Sequence, residues 1–558
     1  MRNLAVKEGL TEDLNYEPKL VRWIISLDQQ GRFLGLISTA DTPGKTEKPV
    51  PRMMQIPRRA IRRRDDNANF LVDNPEYVLG LLDDPHMSKS RLQRAIPRRL
   101  IFLAKIRKAA NAMPHSILGA VGNFLESEPG RAEVISKLRK QGYASYDMLC
   151  FDVAGSLAHD SPEVRAYFSN ERSVSRHGTV QCLICGETRL PTKKHPSVQL
   201  RGGSPTGNVV VSFNATAFES FGWHRNENAA VCQDCAESYI TGLRRLVTSR
   251  YPDPYNPGKV LPPRYIGLTN DTTAVFWTDA PNESLNLFAD VFEKPHPQAI
   301  KAILESPWSS SDTEQQSNQF HCILISGGRG RATIRGSQTS TLGQVETSVK
   351  QFFSANTQFW EKPPPLFAFF RALVAEGRIE NLPTVVACDI FLAIIFGFKY
   401  PRAMLLANTQ RCRAERNVTR ERAIFLRVYF ERNRRTQEFA MGVNRELIDT
   451  GYRLGRLLAV LERLQSAANR NTNKTVVNRY YGPASTRPSA IFPLLIRSAQ
   501  YQVANVKNRN FFQKEIGDVL ETLPSLPAHL SLEEQGLFAL GYYHQRKEYL
   551  SKSETIPD

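Results

Sequence analysis

Cys182-Leu-Ile-Cys185-Gly186 and Cys232-Gln-Asp-Cys235-Ala-Glu-Ser-Tyr-Ile-Thr-Gly-Leu-Arg-Arg-Leu246 are the stretches on which the architecture turns. In each, two thiols stand two residues apart, the gap that lets adjacent thiolates grip one ion. Four thiolates close a tetrahedral shell and leave no position for a catalytic water. The pattern therefore points to a structural Zn2+ held by Cys182, Cys185, Cys232 and Cys235. Two unrelated buried pairs are the alternative, since the interval between the pairs is longer than in short fingers and one shared site requires the chain to fold back. His195 and His224 lie in that interval, as alternative ligands or as surface and hydrogen-bonded side chains. A thiol knuckle, an intervening strand unit and a second pair at a helix start predict a treble-clef-like site.

Outward from the cysteines the chain reads as an α+β multidomain protein. Residues 1–170 form a mixed, basic α/β region, in which Val21–Ile25 and Phe33–Ile37 flank the turn signal Asp28-Gln-Gln-Gly31. Arg91 to Lys108 carries Leu100, Leu103 and Ile106 as an apolar helical stripe. Residues 171–250 are the zinc-clamped segment. Residues 251–362 are β-rich, with strands expected at Tyr265–Leu268, Thr272–Trp277, Cys322–Ile325 and Ala332–Ile334. Pro363-Pro364-Pro365 opens a helical basic region, 363–440, whose greasiest part, Val385 to Phe398, is too short for a membrane span and reads as a core helix. In 441–558, Leu454, Leu457, Leu458, Leu461 and Leu464 form one apolar face. Two more faces follow, and Ser531-x-x-Glu534 caps a last helix, so this region is a helical bundle.

The chain has 558 residues, 73 Lys and Arg against 55 Asp and Glu, and a net charge of +18. That excess favours polyanions, nucleic acid above all, over a mere solubility bias. Cys150, Cys322, Cys388 and Cys412 are scattered and read as free thiols. Together with Met1-Arg-Asn-Leu-Ala-Val-Lys-Glu8, which lacks the apolar stretch of a signal peptide, they place the protein in a reducing cytoplasm. No Walker lysine loop, HExxH, GxSxG or nuclease-type His-Asp pair is present, which favours a binding protein over an enzyme.

Several basic stretches are candidate nucleic-acid contacts. Arg52 to Arg64 supplies Arg58, Arg59, Arg62, Arg63 and Arg64. The interval between the cysteine pairs offers Arg201, Ser212 and Asn214 on a Gly-rich stretch that is either a plain hairpin or a binding loop. Ser326-Gly-Gly-Arg-Gly-Arg-Ala-Thr-Ile-Arg335 presents Arg329, Arg331 and Arg335 on a turn entering a strand. Arg411 to Arg435 reads as one helix with a basic face. Arg479-Tyr480-Tyr481, continuing to Arg487, joins two bundle helices and interleaves rings with cations, a composition suited to stacking on unpaired bases. A solvated surface is the alternative for each.

Read together, Asn69-Phe-Leu-Val-Asp-Asn-Pro-Glu-Tyr-Val-Leu-Gly80, Val210-Val-Ser-Phe-Asn-Ala-Thr-Ala-Phe-Glu-Ser-Phe-Gly222 and Asp271-Thr-Thr-Ala-Val-Phe-Trp277 resemble the large subunit of the type I-C CRISPR surveillance complex, Cascade. So do Gly451-Tyr-Arg-Leu-Gly-Arg-Leu-Leu-Ala-Val-Leu-Glu462, Arg479-Tyr-Tyr-Gly-Pro-Ala-Ser485 and Pro527-Ala-His-Leu-Ser-Leu-Glu-Glu-Gln-Gly-Leu-Phe-Ala-Leu-Gly-Tyr-Tyr-His-Gln-Arg546. The resemblance implies a non-enzymatic subunit that recognises the protospacer-adjacent motif in duplex DNA, supports R-loop formation and steadies the displaced strand. Its implied partners are guide RNA (crRNA), target DNA, the Cascade backbone and crRNA-end-binding subunits, and a separate helicase-nuclease. It also implies that the C-terminal bundle can be made as a separate small subunit, for which Met441 is the candidate start. A free-standing zinc-containing DNA- or RNA-binding regulator is the rival reading. Zinc is argued from spacing alone.

Overall fold

The computed structural model describes residues 1–10, 15–40, 51–58, 67–81, 89–173, 180–189, 191–192, 194–249, 251–253, 259–293, 297–305, 317–357, 365–434, 442–469, 475–521, 523 and 525–553. The chain divides into two compact units, 1–196 with 211–262, and 197–210 with 263–558.

In the first unit, Trp23–Leu27 pairs antiparallel with Phe33–Ser38 and parallel with Leu149–Val153. The expected turn is present: the Asp28 carboxylate accepts the N–H groups of Gln30 (2.9 Å) and Arg32 (2.8 Å). Strand residues alternate inward, so Trp23, Ile25 and Leu27 meet Phe102, Ile106, Phe124 and Phe151 in one apolar core. The helix Lys89–Ala112 contributes Phe102, Ile106 and Ala109 to it. Leu100, read as part of the apolar stripe, is instead 48% exposed, because the buried face runs through Arg98, Phe102, Ile106 and Ala109 and Leu100 projects away from it. The family-like stretch Asn69–Gly80 is also core. Asp73 bridges to Leu149, Asn74 caps the helix Pro75–Leu79 through Tyr77 N–H (3.2 Å), and Arg98 forms a buried ion pair with Glu76.

The second unit is built on a sequential antiparallel sheet of Tyr265–Gly267, Thr272–Thr278, Gln319–Gly327 and Ala332–Thr341, matching all four expected strands. Its inner face, Phe276, Phe320 and Leu324, opens into a core shared with Phe288, Phe292, Phe391 and the helices that follow. Thr384–Phe396 is the expected core helix. In the bundle, Leu454, Leu457, Leu458, Leu461 and Leu464 are all buried, and Ser531 and Glu534 make the reciprocal cap. The helices Thr450–Ala468 and Leu532–Ser553 cross with backbone against backbone. A Cβ on Gly451 would meet Glu534, one on Gly455 would meet Phe538, and one on Gly541 would meet Tyr452. The glycines of two family-like stretches thus let the two helices touch.

Two readings of the helical region are corrected. Arg411–Arg435 is not one helix: Arg402–Glu415 ends at Arg416 in the left-handed region (φ 53°), and a second helix runs over Arg420–Arg434. Arg422 points inward there, paired with Glu415 at 2.6 Å and donating to Ala372 and Asn417 carbonyls. Arg479–Arg487 is not a connector but the body of a helix, Val476–Thr486, begun by the Thr475 hydroxyl. No helix among the described residues is long and apolar enough to cross a membrane.

Candidate metal centre and nucleic-acid surfaces

The first cysteine pair sits at the turn of a hairpin, Val180–Gln181 with Thr188–Arg189. Gly186 closes the turn at φ 75°, donating to the Cys182 carbonyl at 2.9 Å, a conformation in which glycine carries no side-chain clash. The second pair opens the helix Gln233–Val247, with Cys232 as its N-cap accepting the Cys235 N–H (3.4 Å). Leu183 N–H donates to the Ala230 carbonyl (2.8 Å), Cys232 N–H donates to Cys182 Sγ (3.3 Å), and Arg189 pairs with Asp234 (2.8 Å). The chain between the pairs does fold back.

All four sulfurs lie within 4.8 Å of one another, with Cys185 and Cys232 4.0 Å apart. Tetrahedral zinc with bonds of ~2.3 Å places its sulfurs ~3.8 Å apart, so the residues fit the ion. Burial raises the thiol of Cys182, but N–H donors from Cys185, Cys232 and Ile184 and the Cys185 thiol outweigh it and bring it down to about 6. Burial, then hydrogen bonding to Cys232 and Cys185, pushes Cys235 up. Zinc bound there would tie the hairpin to the helix and offer no open position. Neither histidine joins the cluster. His195 is buried, with Nδ1 2.7 Å from the Tyr239 hydroxyl, and burial lowers it to about 4. His224 is exposed and faces Glu219 at 3.0 Å.

The helix carrying the second pair is fastened to the rest of the first unit by ion pairs: Arg58–Glu237, Arg244–Glu17 (3.3 Å) and Arg245–Glu8 (3.0 Å). This corrects the reading of Arg58 as a nucleic-acid contact, since it is 8% exposed and its charge is spent on Glu237. Arg59, Arg62, Arg63 and Arg64 lie outside the described residues.

The intervening segment is less regular than its β-prone composition predicts. Beyond Thr188–Arg189, its strands among the described residues are the short pair Ser197–Val198 and Asn208–Val209, followed by two 3-10 turns. The structure joins two Gly-rich stretches that lie far apart in the sequence. Buried Asn208 donates through Nδ2 to the carbonyls of Gly328 (2.7 Å) and Arg331 (2.9 Å), and Val209 N–H donates to Gly330 (3.1 Å). A side chain at Gly327 would strike Arg201 and Gly203 backbone at 2.8 Å. These glycines are needed for packing the two loops together, while Arg201, Arg329, Arg331 and Arg335 remain exposed at the surface so formed. Arg335 is steadied by Ser326 Oγ at 3.1 Å. Ser212 is half-buried and Asn214 exposed.

A second basic surface emerges from residues far apart in sequence. A cleft of about 670 Å³ is lined by Arg411 and Arg413 from one helix and by Gly482, Pro483, Thr486 and Arg487 from another. Arg479 lies over the Tyr480 ring (5.9 Å). Tyr481 is the other correction: it is 1% exposed and packs edge-on against Phe538 and Tyr542, so no base can stack on it. Arg479 and Arg487, by contrast, are exposed. The cleft has no signature along the chain, because only tertiary packing sets Arg411 and Arg413 opposite Arg487.

No curated protein matches the sequence. Residues 2–550 match the family described as CRISPR-associated protein (Cas_Csd1), so the chain belongs to that family of type I-C, Csd-type proteins and is a CRISPR-associated Cascade subunit.

Proposed function

We propose that this chain is the large subunit of the guide-RNA-directed type I-C Cascade, recognising the protospacer-adjacent motif in duplex DNA. In that role it supports R-loop formation, holds the displaced strand and helps recruit a separate helicase-nuclease, without catalysing a reaction itself. The observation that carries the reading is the family match across residues 2–550. The net charge of +18, the joined loops of Arg201, Arg329 and Arg331, and the Arg411–Arg413–Arg487 cleft support it. Guide–target pairing supplies most of the sequence specificity in such a machine, leaving the protein to contact the motif and the phosphate backbone. The cysteine cluster serves as a structural zinc site.

Partners are the guide RNA, target duplex, backbone and guide-end-binding subunits, and a separately translated copy of the C-terminal bundle. Met441, its proposed start, lies outside the described residues. In the intact chain the last helix sets Gly536 against Leu405, Leu426 and Phe430, so a bundle made alone needs another surface to cover that face.

The test is reconstitution with the other subunits, followed by titration against duplex libraries randomised beside the target. Guide-dependent binding that varies with the flanking bases is expected. A chain that purifies without guide RNA and binds the same duplexes unaided would overturn the proposal.

A further inference from the structure

The loop between the cysteine pairs ends in a tip that the metal centre alone does not account for. Phe221 is 93% exposed, Trp223 52% and Phe218 44%, at a place where the chain could have carried polar residues. Phe221 also sits at φ 56°, in the left-handed region where a bulky residue is a backbone outlier and Gly or Asn would be at ease. Strain of this kind gathers at ligand clamps. What Phe adds at that position is its ring.

The tip is rigidly built. The Glu219 carboxylate accepts the Arg225 N–H (2.9 Å) and faces His224 Nδ1 (3.0 Å). Asn228 accepts the Ser220 N–H (2.9 Å) and donates to the carbonyls of Trp223 and Arg225 (both 2.9 Å). The 3-10 turn Arg225–Ala229 then leads to Ala230, whose carbonyl is held by the first knuckle. The backbone that carries the aromatic residues is thus held by the chain's own hydrogen bonds.

We propose that Phe221, backed by Trp223, is a stacking platform for one unpaired base of a nucleic-acid strand, an inference that rests on the DNA-binding function proposed above. The two ring centroids are 6.5 Å apart with planes at 58°, so a base stacks on the outer face of Phe221 rather than between the rings. The exposed Arg225 beside it suits a phosphate of that strand, as does a chain of net charge +18. A protein partner fits less well, because a tip of two or three rings falls far short of the ~800 Å² per side of a stable protein interface.

The experiment uses the reconstituted complex and target DNA carrying 2-aminopurine at successive positions of the opened strands. Wild type should quench 2-aminopurine at one position. F221A should abolish that quenching and weaken binding of pre-opened target by ~5- to 150-fold, the range for loss of one stacked base. F221Y should restore both, and metal content should stay at the wild-type level in all variants. W223F should behave as wild type and W223A as a weaker F221A. Unchanged quenching and affinity in F221A would overturn the platform while leaving the DNA-binding function standing. Loss of a protein subunit from the F221A complex, with its grip on DNA intact, would overturn it in favour of protein docking. A wild-type complex that binds no target would remove both readings.

Discussion

Within residues 180–196 and 211–232 of the described chain, the buried apolar side chains are Cys182, Val231 and Cys232, while Leu183, Ile184, Phe218, Phe221 and Trp223 face solvent. Between Thr450 and Ser553 the proportion is reversed, with Leu454, Leu457, Leu458, Leu461, Leu464, Leu537, Phe538 and Leu540 all buried in a continuous core. One region has its few buried side chains gathered about four clustered sulfurs; the other is closed by many small apolar contacts. Point closure leaves the intervening chain free to be irregular and to project side chains such as Phe221. Distributed closure demands regular helices whose surface residues are the only ones available for binding. The stability of the first should therefore depend on one ion, and that of the second should decline in steps.

The largest expected effect breaks the first region. Cys232→Ser should release the metal and unfold the segment between the pairs, because apparent structural-zinc binding energies of ~10 kcal/mol or more are folding energy. Metal analysis with hydrogen exchange should show lost protection in 180–232 and unchanged protection in 450–550. A wild-type protein that is well folded and free of metal would end the idea. Leu457→Ala should do the converse, costing about 2–5 kcal/mol of bundle stability in denaturant titration while zinc content stays constant. Zinc loss from that variant would show the two regions to be less independent than the comparison requires.

Acid should reach the bundle through His544, which is buried against Tyr452 and lowered to about 3, first by desolvation and then by Arg427 and Lys547. An unfolded histidine titrates near ~6.5. The unfolded state therefore binds the proton first, and stability present at pH ~7 is lost as pH falls from ~6.5 toward ~3. About 1 kcal/mol should be gone by pH ~5.5, and His544→Gln should flatten that part of the profile. A bundle whose stability is as pH-dependent in the variant as in wild type would rule His544 out as the cause. The smallest effect tests the surface the bundle helps to build. Arg411→Ala with Arg487→Ala should leave stability unchanged and lower the salt slope of single-strand binding by ~0.7 for each phosphate no longer neutralised. An unaltered slope would separate the cleft from the DNA.

Much of this architecture was legible in the residues. Two-residue spacing of thiols, alternation in Trp23–Leu27 and the leucine face of 454–464 each follow from local geometry, which repeats in sequence. Arg58 and Tyr481 mislead for the same physical reason. An arginine near other arginines looks solvated until Glu237 comes to it from a distant helix, and a tyrosine beside Arg479 looks available until Phe538 and Tyr542 cover it. The glycines of 202–207 and 327–330 are a subtler case. Their permissiveness suits a ligand as well as it suits a neighbouring backbone, and nothing local distinguishes the two.

By itself, then, the sequence determined the two thiol pairs, the four strands of the second unit, the helical C-terminal region and the family. Those depend on spacing, periodicity and extended runs of particular residues, all properties of neighbours along the chain. Tertiary structure alone decided that the two Gly-rich loops form one surface, that Arg411 and Arg413 share a cleft with Arg487, and that Phe221 stands out in solvent beside Trp223. Exposure and proximity between distant residues are set by the packing of whole elements, and only the folded chain specifies that.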